Sequence, residues 1–433
     1  LKTGVATLQK TLVESTTALT LVRGGRDKAQ KFNALSLAEK SHYLQGVTAK
    51  ERMDLIIGDP EGELLVRSMD PQEFFWMIKD IGETDALELL QLASPEQCLF
   101  LLDIESWAKW SFSTDKAVEW LGYLLEGGDE RIRDLLPQLD HELLLLLFNK
   151  ELIVGGGVGD MTNDEERLAD WDHTFDDMFM LTFKIPKHSE VVGRFLESIY
   201  RLDHGLYVAL MEGVKNDIDA ELEDFCFRFR SGRLADMGFP PLDEALSIYA
   251  RLNPDTFAVL GEKELLPADT GARLPVPIGD DNTLLQRALA LVDTAELRME
   301  LNYLINTALV ADETAFSDTA AMRSVAQRVY GYLNIALEFL CEGNVNKAAE
   351  VLAGEELKRL FRLGYSILLR IRARAEKQES DNHATNKLLN GLKSKRPRFY
   401  RGLDPDGIDG YREFRSMSDV AMVDEFLRRL ETS

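Results

Sequence analysis

Near the C-terminus, the ten residues Lys393-Ser394-Lys395-Arg396-Pro397-Arg398-Phe399-Tyr400-Arg401-Gly402 interleave cations with an aromatic pair. Such a group can hold an anion, stack a base or clamp an acidic surface. Lys395, Arg396, Arg398, Tyr400 and Arg401 are therefore the candidate ligand- or partner-binding residues. Fifty basic against seventy-four acidic residues leave the chain at −24, so docking of this segment on the protein's own acidic body is the first expectation. An enzyme acting on an anionic small molecule near Arg396, Arg398 and Arg401 is a further reading. It requires a polar pocket where several of those arginines meet a carboxylate or histidine.

A second group is acidic. Asp170, Asp172, Asp176 and Asp177 surround His173 and offer the hard oxygen ligands that Mg2+ or Ca2+ prefers. A solvated acidic loop is the plainer expectation. Asp404-Pro405-Asp406-Gly407-Ile408-Asp409-Gly410 departs from the spacing of a calcium loop and lacks its closing Glu. Glu39 and His42 give a single Glu-x-x-His pair where a dinuclear carboxylate site needs two. The run Gly155-Gly156-Gly157-Val158-Gly159 lacks the Gly-Lys-Ser/Thr ending of a phosphate loop, so it is expected to be a flexible connection. With no GxSxG elbow and no histidine near a cysteine in sequence, no catalytic residue is assigned.

The positioning elements follow from length and composition. At 433 residues the chain is long enough for two or three domains, and its 45% hydrophobic content is that of a globular protein. Strong acidity argues against a general role on nucleic acid or anionic lipid. Cys98, Cys226 and Cys341 form no disulfide framework or metal knuckle, which fits a cytoplasmic setting. Leu1 to Lys31 holds no apolar core followed by a cleavage site, so no signal peptide is expected. The most apolar run, Leu143–Phe148, is far too short for a membrane span of about 20 residues.

One pattern recurs along the chain. Leu65-Val66-Arg67-Ser68-Met69-Asp70-Pro71-Gln72-Glu73-Phe74 returns as Leu89 to Cys98, as Leu135 to Leu143 and as Ile248 to Phe257. An apolar helix end is followed by Asp, Ser or Asn as N-cap, then Pro (His141 in the third copy) at the first helical position and a nearby acid. Short Pro-started helices are marginal alone and must stack. Phe74, Phe75, Trp76, Leu89, Leu90, Phe100, Trp107, Trp110 and Trp120 are among the residues expected in that core. Phe175 to Ile185 fits strand or helix until Pro186 ends it. Thr283–Leu309, Asp318–Glu342, Asn344–Leu352 and Glu355–Gln378 are longer helical runs.

The expected fold is all-α, a solenoid-like stack of short helices followed by a C-terminal helical bundle. Residues 1–31 form an N-terminal arm, 32–154 the short-helix repeat domain, 155–266 a middle helical region with the acidic insertion, and 282–433 the C-terminal helical domain. Pro267 to Asp281 is the linker. Glu356 to Arg401 carries thirteen Lys or Arg against four Asp or Glu, opposite in sign to the rest.

The tandem pattern at residues 65–74 and 89–98 resembles the helical repeats of the cytosolic N-terminal domain of MgtE-type magnesium transporters. That resemblance implies a superhelical all-α domain able to sense Mg2+, without the transport function. The block from Lys395 to Arg401 through Gly410-Tyr411-Arg412-Glu413-Phe414 resembles a bacterial family of unknown function. The expected function is that of a soluble helical-repeat scaffold or regulator binding an unknown protein partner. A Mg2+- or Ca2+-responsive sensor module is the alternative, and the enzyme on an anionic small molecule comes third.

Overall fold

Caps set the helix starts in the first half of the computed structural model, which describes residues 28–45, 47–108, 110–157, 171–216, 219–261, 263, 282–292 and 294–432. Before α1 (Leu37–Gln45), the Glu39 carboxylate accepts the backbone N–H of Ser36 at 2.8 Å and its hydroxyl at 2.7 Å. Thr48 accepts the Glu51 N–H and starts α2 (Ala49–Ile57). A short α3 (Gly62–Arg67) leads to Asp70, whose side chain accepts from Gln72 N–H and hands the chain to Pro71 of α4 (Pro71–Ile81). The cycle repeats with a short α5 (Leu87–Leu92) and α6 (Pro95–Glu105), where Ser94 and Gln97 close a reciprocal capping box. After α7 (Thr114–Leu125) it repeats again as α8 (Gly128–Leu135) and α9 (His141–Glu151).

Three copies of the sequence pattern therefore lead from a shorter helix into a longer one, with the side-chain cap made by Asp70 and Ser94 but not by Asp140, where a 3-10 turn, Leu136–Gln138, comes between. Each ends in a helix of 11 residues. Successive copies are joined by Gln97, buried, whose amide donates to Val66 O at 2.7 Å and Met69 O at 2.9 Å and so closes the end of α3. The expectation fails at the fourth copy. Asn253 caps only a single 3-10 turn, Pro254–Thr256, and Phe257 is already extended, so the turn does not grow into a helix.

The chain divides into two units, residues 1–106 with 113–223, and residues 107–112 with 224–433. In the first, Phe74, Phe75, Trp76, Leu89, Leu90, Phe100 and Trp120 are buried as expected. An antiparallel ribbon of β3 (Leu152–Gly156) and β4 (Phe179–Phe183) comes after α9, with Leu152 opposite Phe183 and Gly156 opposite Phe179. That corrects the expectation of a flexible glycine connection, since Gly155 and Gly156 are strand residues. Side chains are excluded there: a Cβ at Gly155 would lie 2.4 Å from the Trp171 ring, and one at Gly156, with φ +74°, 2.2 Å from Met178 O. Helices α10 (Ser189–Leu202) and α11 (His204–Asn216) complete the unit.

The second unit begins with a two-residue hairpin, β1 (Trp107–Ala108) and β2 (Ser111–Phe112). Trp110 lies at its turn and is 59% exposed, against the expectation that it belongs to a core. The unit takes in most of α12 (Asp219–Asp236), then α13 (Leu242–Leu246), α14 (Leu284–Leu289), α15 (Ala295–Ala311), α16 (Thr319–Cys341), α17 (Val345–Gly354) and α18 (Leu357–Ala375). Thr294 caps α15 and splits the expected Thr283–Leu309 run in two. Helices α16 and α18 form the middle of the unit, with Tyr332 against Phe361 and Tyr365. They approach so closely that a Cβ at Gly364 would lie 2.1 Å from Tyr332 O. Helix α19 (His383–Lys393), the ribbon of β5 (Phe399–Tyr400) and β6 (Tyr411–Arg412), and α20 (Met417–Glu431) close it.

The protein is mostly all-α, and among the described residues the strands form three two-stranded antiparallel sheets. Among them, no helix is long and apolar enough to cross a membrane. The expected arm through Asp27, the linker residues 267–281, and Asp170 lie outside the described residues.

Candidate functional site

The basic segment is held by the protein's own acids. Arg396 pairs with Asp312, donates to Ala311 O at 2.9 Å and lies 4.6 Å over the Tyr249 ring, whose hydroxyl donates to Asp312 at 2.8 Å. Arg328 of α16 joins the same Asp312 and meets Glu413 through two hydrogen bonds of 3.0 Å. Arg398 stands 3.7 Å from Glu413 on its other side. The result is an alternating row, Arg396, Asp312, Arg328, Glu413, Arg398, in which both acids are nearly inaccessible. Burial pushes Asp312 above the usual carboxylate range, and Arg328 and Arg396 pull against it.

The other candidates point elsewhere. Arg401 pairs with Asp406 at 3.1 Å and the Tyr400 hydroxyl donates to Asp409 at 3.2 Å. Lys395 contributes its carbonyl, which accepts from Arg372 at 3.3 Å and Tyr365 at 3.4 Å. These five residues lie along one segment without sharing a pocket lined by free arginines. Asp404, Asp406 and Asp409 of the calcium-like loop are paired with Arg412, Arg401 and Lys387.

In the acidic segment the carboxylates shape their own backbone. Asp172 accepts the Phe183 N–H at 3.0 Å, Asp176 accepts those of Met178 and Phe179 at 3.0 Å, and Asp177 sits at φ +57°. Asp172 and His173 line an open depression of about 520 Å³ with Glu190 and Glu197. Among the described residues no group of three or more His, Cys, Asp or Glu is placed to hold a metal ion.

A third constellation escaped the sequence. Glu151, the last residue of α9 and fully buried, sits 2.9 Å from His188 Nδ1, while His188 Nε2 is 2.9 Å from Asp115 Oδ1 in the first turn of α7. Lys187 donates to the same Asp115 oxygen. Its hydrogen bond, then its charge and that of His188, hold the Asp115 carboxyl below the usual carboxylate range. The group opens on a depression of about 580 Å³ with Leu87, Val118 and Val191 as floor and Glu119, Tyr123, Glu126 and Arg194 around it. Burial first and Glu119 next push the Tyr123 phenol up to about 12, so it stays a donor to Glu119. Glu151 and His188 are 37 residues apart, and no spacing rule joins them.

A protein-family model described as a family of unknown function (DUF6178) matches residues 29–433. The chain belongs to that family. No curated protein matches it, and no solved structure does.

In this DUF6178 chain the second unit also carries an uncovered aromatic face. From Asp224 to Asp236, α12 buries Cys226, Arg230 and Leu234 on one side, while Phe225 and Phe229 stay 52% and 47% exposed on the other. They stand one helical turn apart. Gly232 and Ala235 continue that exposed side, and a Cβ at Gly232 would meet nothing within 4 Å. Asp224 and Arg228 flank the pair and hold each other at 2.6 Å.

Proposed function

We propose that the protein is a helical scaffold or regulator that acts by binding a partner protein, and that the partner seats on α12 between Asp224 and Asp236. The single observation carrying this is the exposure of Phe225 and Phe229 side by side on one regular helix. Two adjacent aromatic rings are an unusual surface for a chain this acidic, and aromatic side chains are the residues that anchor protein interfaces. The partner's chemistry follows from the surroundings. Asp224 is already held by Arg228, but Asp236 borders the exposed side and the whole chain is at −24, so a segment with apolar anchors flanked by Lys or Arg is the complement.

The internal pairing of Arg396, Arg398 and Arg401 supports a structural use of the basic segment over an anionic substrate. Three buried cysteines that form no disulfide with one another support a cytoplasmic setting. The repeated short and long helix pairs of the first unit support the solenoid-like reading and the likeness to MgtE-type repeats. The backbone duties of Asp172 and Asp176 do not support a Mg2+ sensor.

Affinity capture with the full chain and with a Phe225→Glu/Phe229→Glu double variant tests the proposal. A stoichiometric partner is expected with the wild type and absent with the variant, and the purified pair should reconstitute with a Kd weakened at least about 100-fold by the double substitution. Unchanged far-ultraviolet circular dichroism establishes that the variant is folded. Equal capture by both chains, or no stoichiometric complex with either, overturns the proposal.

A further inference from the structure

We propose that Lys187 and His188 form a binding site for a small oxyanion, a carboxylate or phosphate group, which the Asp115 carboxylate occupies from within the chain. This inference concerns the first unit and is independent of the aromatic face. Its basis is convergence. Lys187 Nζ and His188 Nε2 both reach one atom, Asp115 Oδ1, as two donors reach the oxygen of a bound anion.

The donors are built in from behind. Glu151 is fully buried, its Oε1 lies 2.9 Å from His188 Nδ1, and its Oε2 has no hydrogen-bond partner. With one carboxylate oxygen 2.9 Å from each ring nitrogen, the ring is held by Glu151 behind and presents Nε2 outward to an oxygen acceptor. The 14-residue α10 starts at the next residue, Ser189, and adds its positive end. His188 is thus a fixed donor, and Lys187 beside it is an exposed one.

The acceptor is different in kind. Asp115 has a side chain 65% exposed and Lys187 one 67% exposed, so the carboxylate can leave without opening the core. Other acids on the depression are already matched. Glu119 takes Lys116 at 2.7 Å and the Tyr123 hydroxyl at 3.1 Å, and Glu126 stands 3.7 Å from Arg194. Once Asp115 moves away, the Lys187 ammonium is left without its carboxylate beside a depression of about 580 Å³, room enough for a small organic anion. Asp115 is then a competitive occupant that sets how tightly an outside anion binds.

Isothermal titration of the full chain with inorganic phosphate and with acetate, at constant ionic strength, tests this. Asp115→Asn keeps the side-chain shape and removes its charge, and it should bind at least one of the two anions about tenfold more tightly than the wild type. Adding Lys187→Met in that background should return the affinity to the wild-type level or below. Both positions are exposed, so the fold is kept. As a second measurement on the unaltered chain, the His188 ring nitrogen resonances should shift on saturation with phosphate. An Asp115→Asn chain that binds neither anion better than wild type, a Lys187→Met change without effect, or His188 resonances unmoved by phosphate overturns the proposal.

Discussion

Arg412 lies over the ring of Phe399, its partner across the β5–β6 ribbon, with the guanidinium carbon 3.9 Å from the ring centroid. From that stacked position its planar fork reaches two carboxylates at once. Asp404 receives hydrogen bonds of 2.7 and 2.9 Å, and Asp419, in the first turn of α20, receives two of 2.7 and 2.8 Å. The ribbon is thereby fastened to the last helix by one side chain.

Replacing Arg412 by Lys keeps the charge and loses both the fork and the stack. The expected loss is about 2 kcal/mol, from charge-assisted hydrogen bonds that an ammonium cannot make in parallel. Urea midpoints for wild type and Arg412→Lys measure it. A difference below about 0.5 kcal/mol would show that the fork does not fasten α20.

The same contact has a pH signature. The hydrogen bond from Arg412, first among the causes, holds Asp404 below the usual carboxylate range. A depressed folded-state value means stability that is present above the unfolded value of about 4 and lost as pH falls through the folded one. Asp404→Asn should therefore be less stable than wild type at pH 7, and the gap should narrow as the pH is taken to about 2. A gap that stays constant over that range contradicts the assignment.

Gln97 tests the stacking of the repeats. Its amide oxygen accepts the Ser94 N–H at 2.8 Å while its nitrogen closes Val66 and Met69 of the preceding copy. Gln97→Leu is close in volume and leaves the Ser94 N–H and the Met69 carbonyl without this partner and Val66 O with its backbone donors alone, for a loss of about 2–4 kcal/mol. Thermal unfolding should register it as a fall in the midpoint of the first unit. Gln97→Glu should rescue the Ser94 contact alone, with an intermediate midpoint.

What could be seen beforehand depended on range. Asp70, Ser94, Asp318 and Asn344 accept backbone hydrogen bonds within three residues, so composition alone places those helix starts. Asn253-Pro254 has the same local signal and starts only one turn, because the backbone beyond that turn is taken by side chains around the start of α18, with Ala258 O accepting from Arg359 and Leu260 N–H donating to Glu355. Glycine at 155 and 156 looks like a hinge until Trp171 and Met178 O are found where its side chains would be. The sign of the charge between Glu356 and Arg401 foretold docking on acids. It could not foretell that Asp312 and Glu413, roughly 100 residues apart, would take Arg396 and Arg398.

Divalent cations give a direct check on the acidic segment. Asp172 Oδ2 and Asp176 Oδ1 each serve backbone donors at 3.0 Å. Because among the described residues no three His, Cys, Asp or Glu are grouped to hold a metal ion, addition of Mg2+ or Ca2+ to about 5 mM should shift the melting temperature by less than about 1 °C. A rise of several degrees that vanishes in Asp172→Asn/Asp176→Asn would instead restore the sensor reading.

Arg131 and Arg328 are both buried, and their surroundings lead to opposite expectations. Arg131 donates to Cys98 Sγ at 2.7 Å and to Leu90 O at 3.3 Å, while its Nε and Nη1 have no hydrogen-bond partner. A desolvated guanidinium without a carboxylate is a standing penalty, and Met fills the same space without a charge. Arg131→Met should be neutral or more stable. Arg328→Met leaves Asp312 to Arg396 and Tyr249 and leaves Glu413, with a side chain 2% exposed, only the hydroxyl of Ser324 and Arg398 at 3.7 Å, and should lose about 3–5 kcal/mol. Chemical denaturation of both variants decides the matter, and equal losses would show that Arg131 has the electrostatic support that Arg328 has.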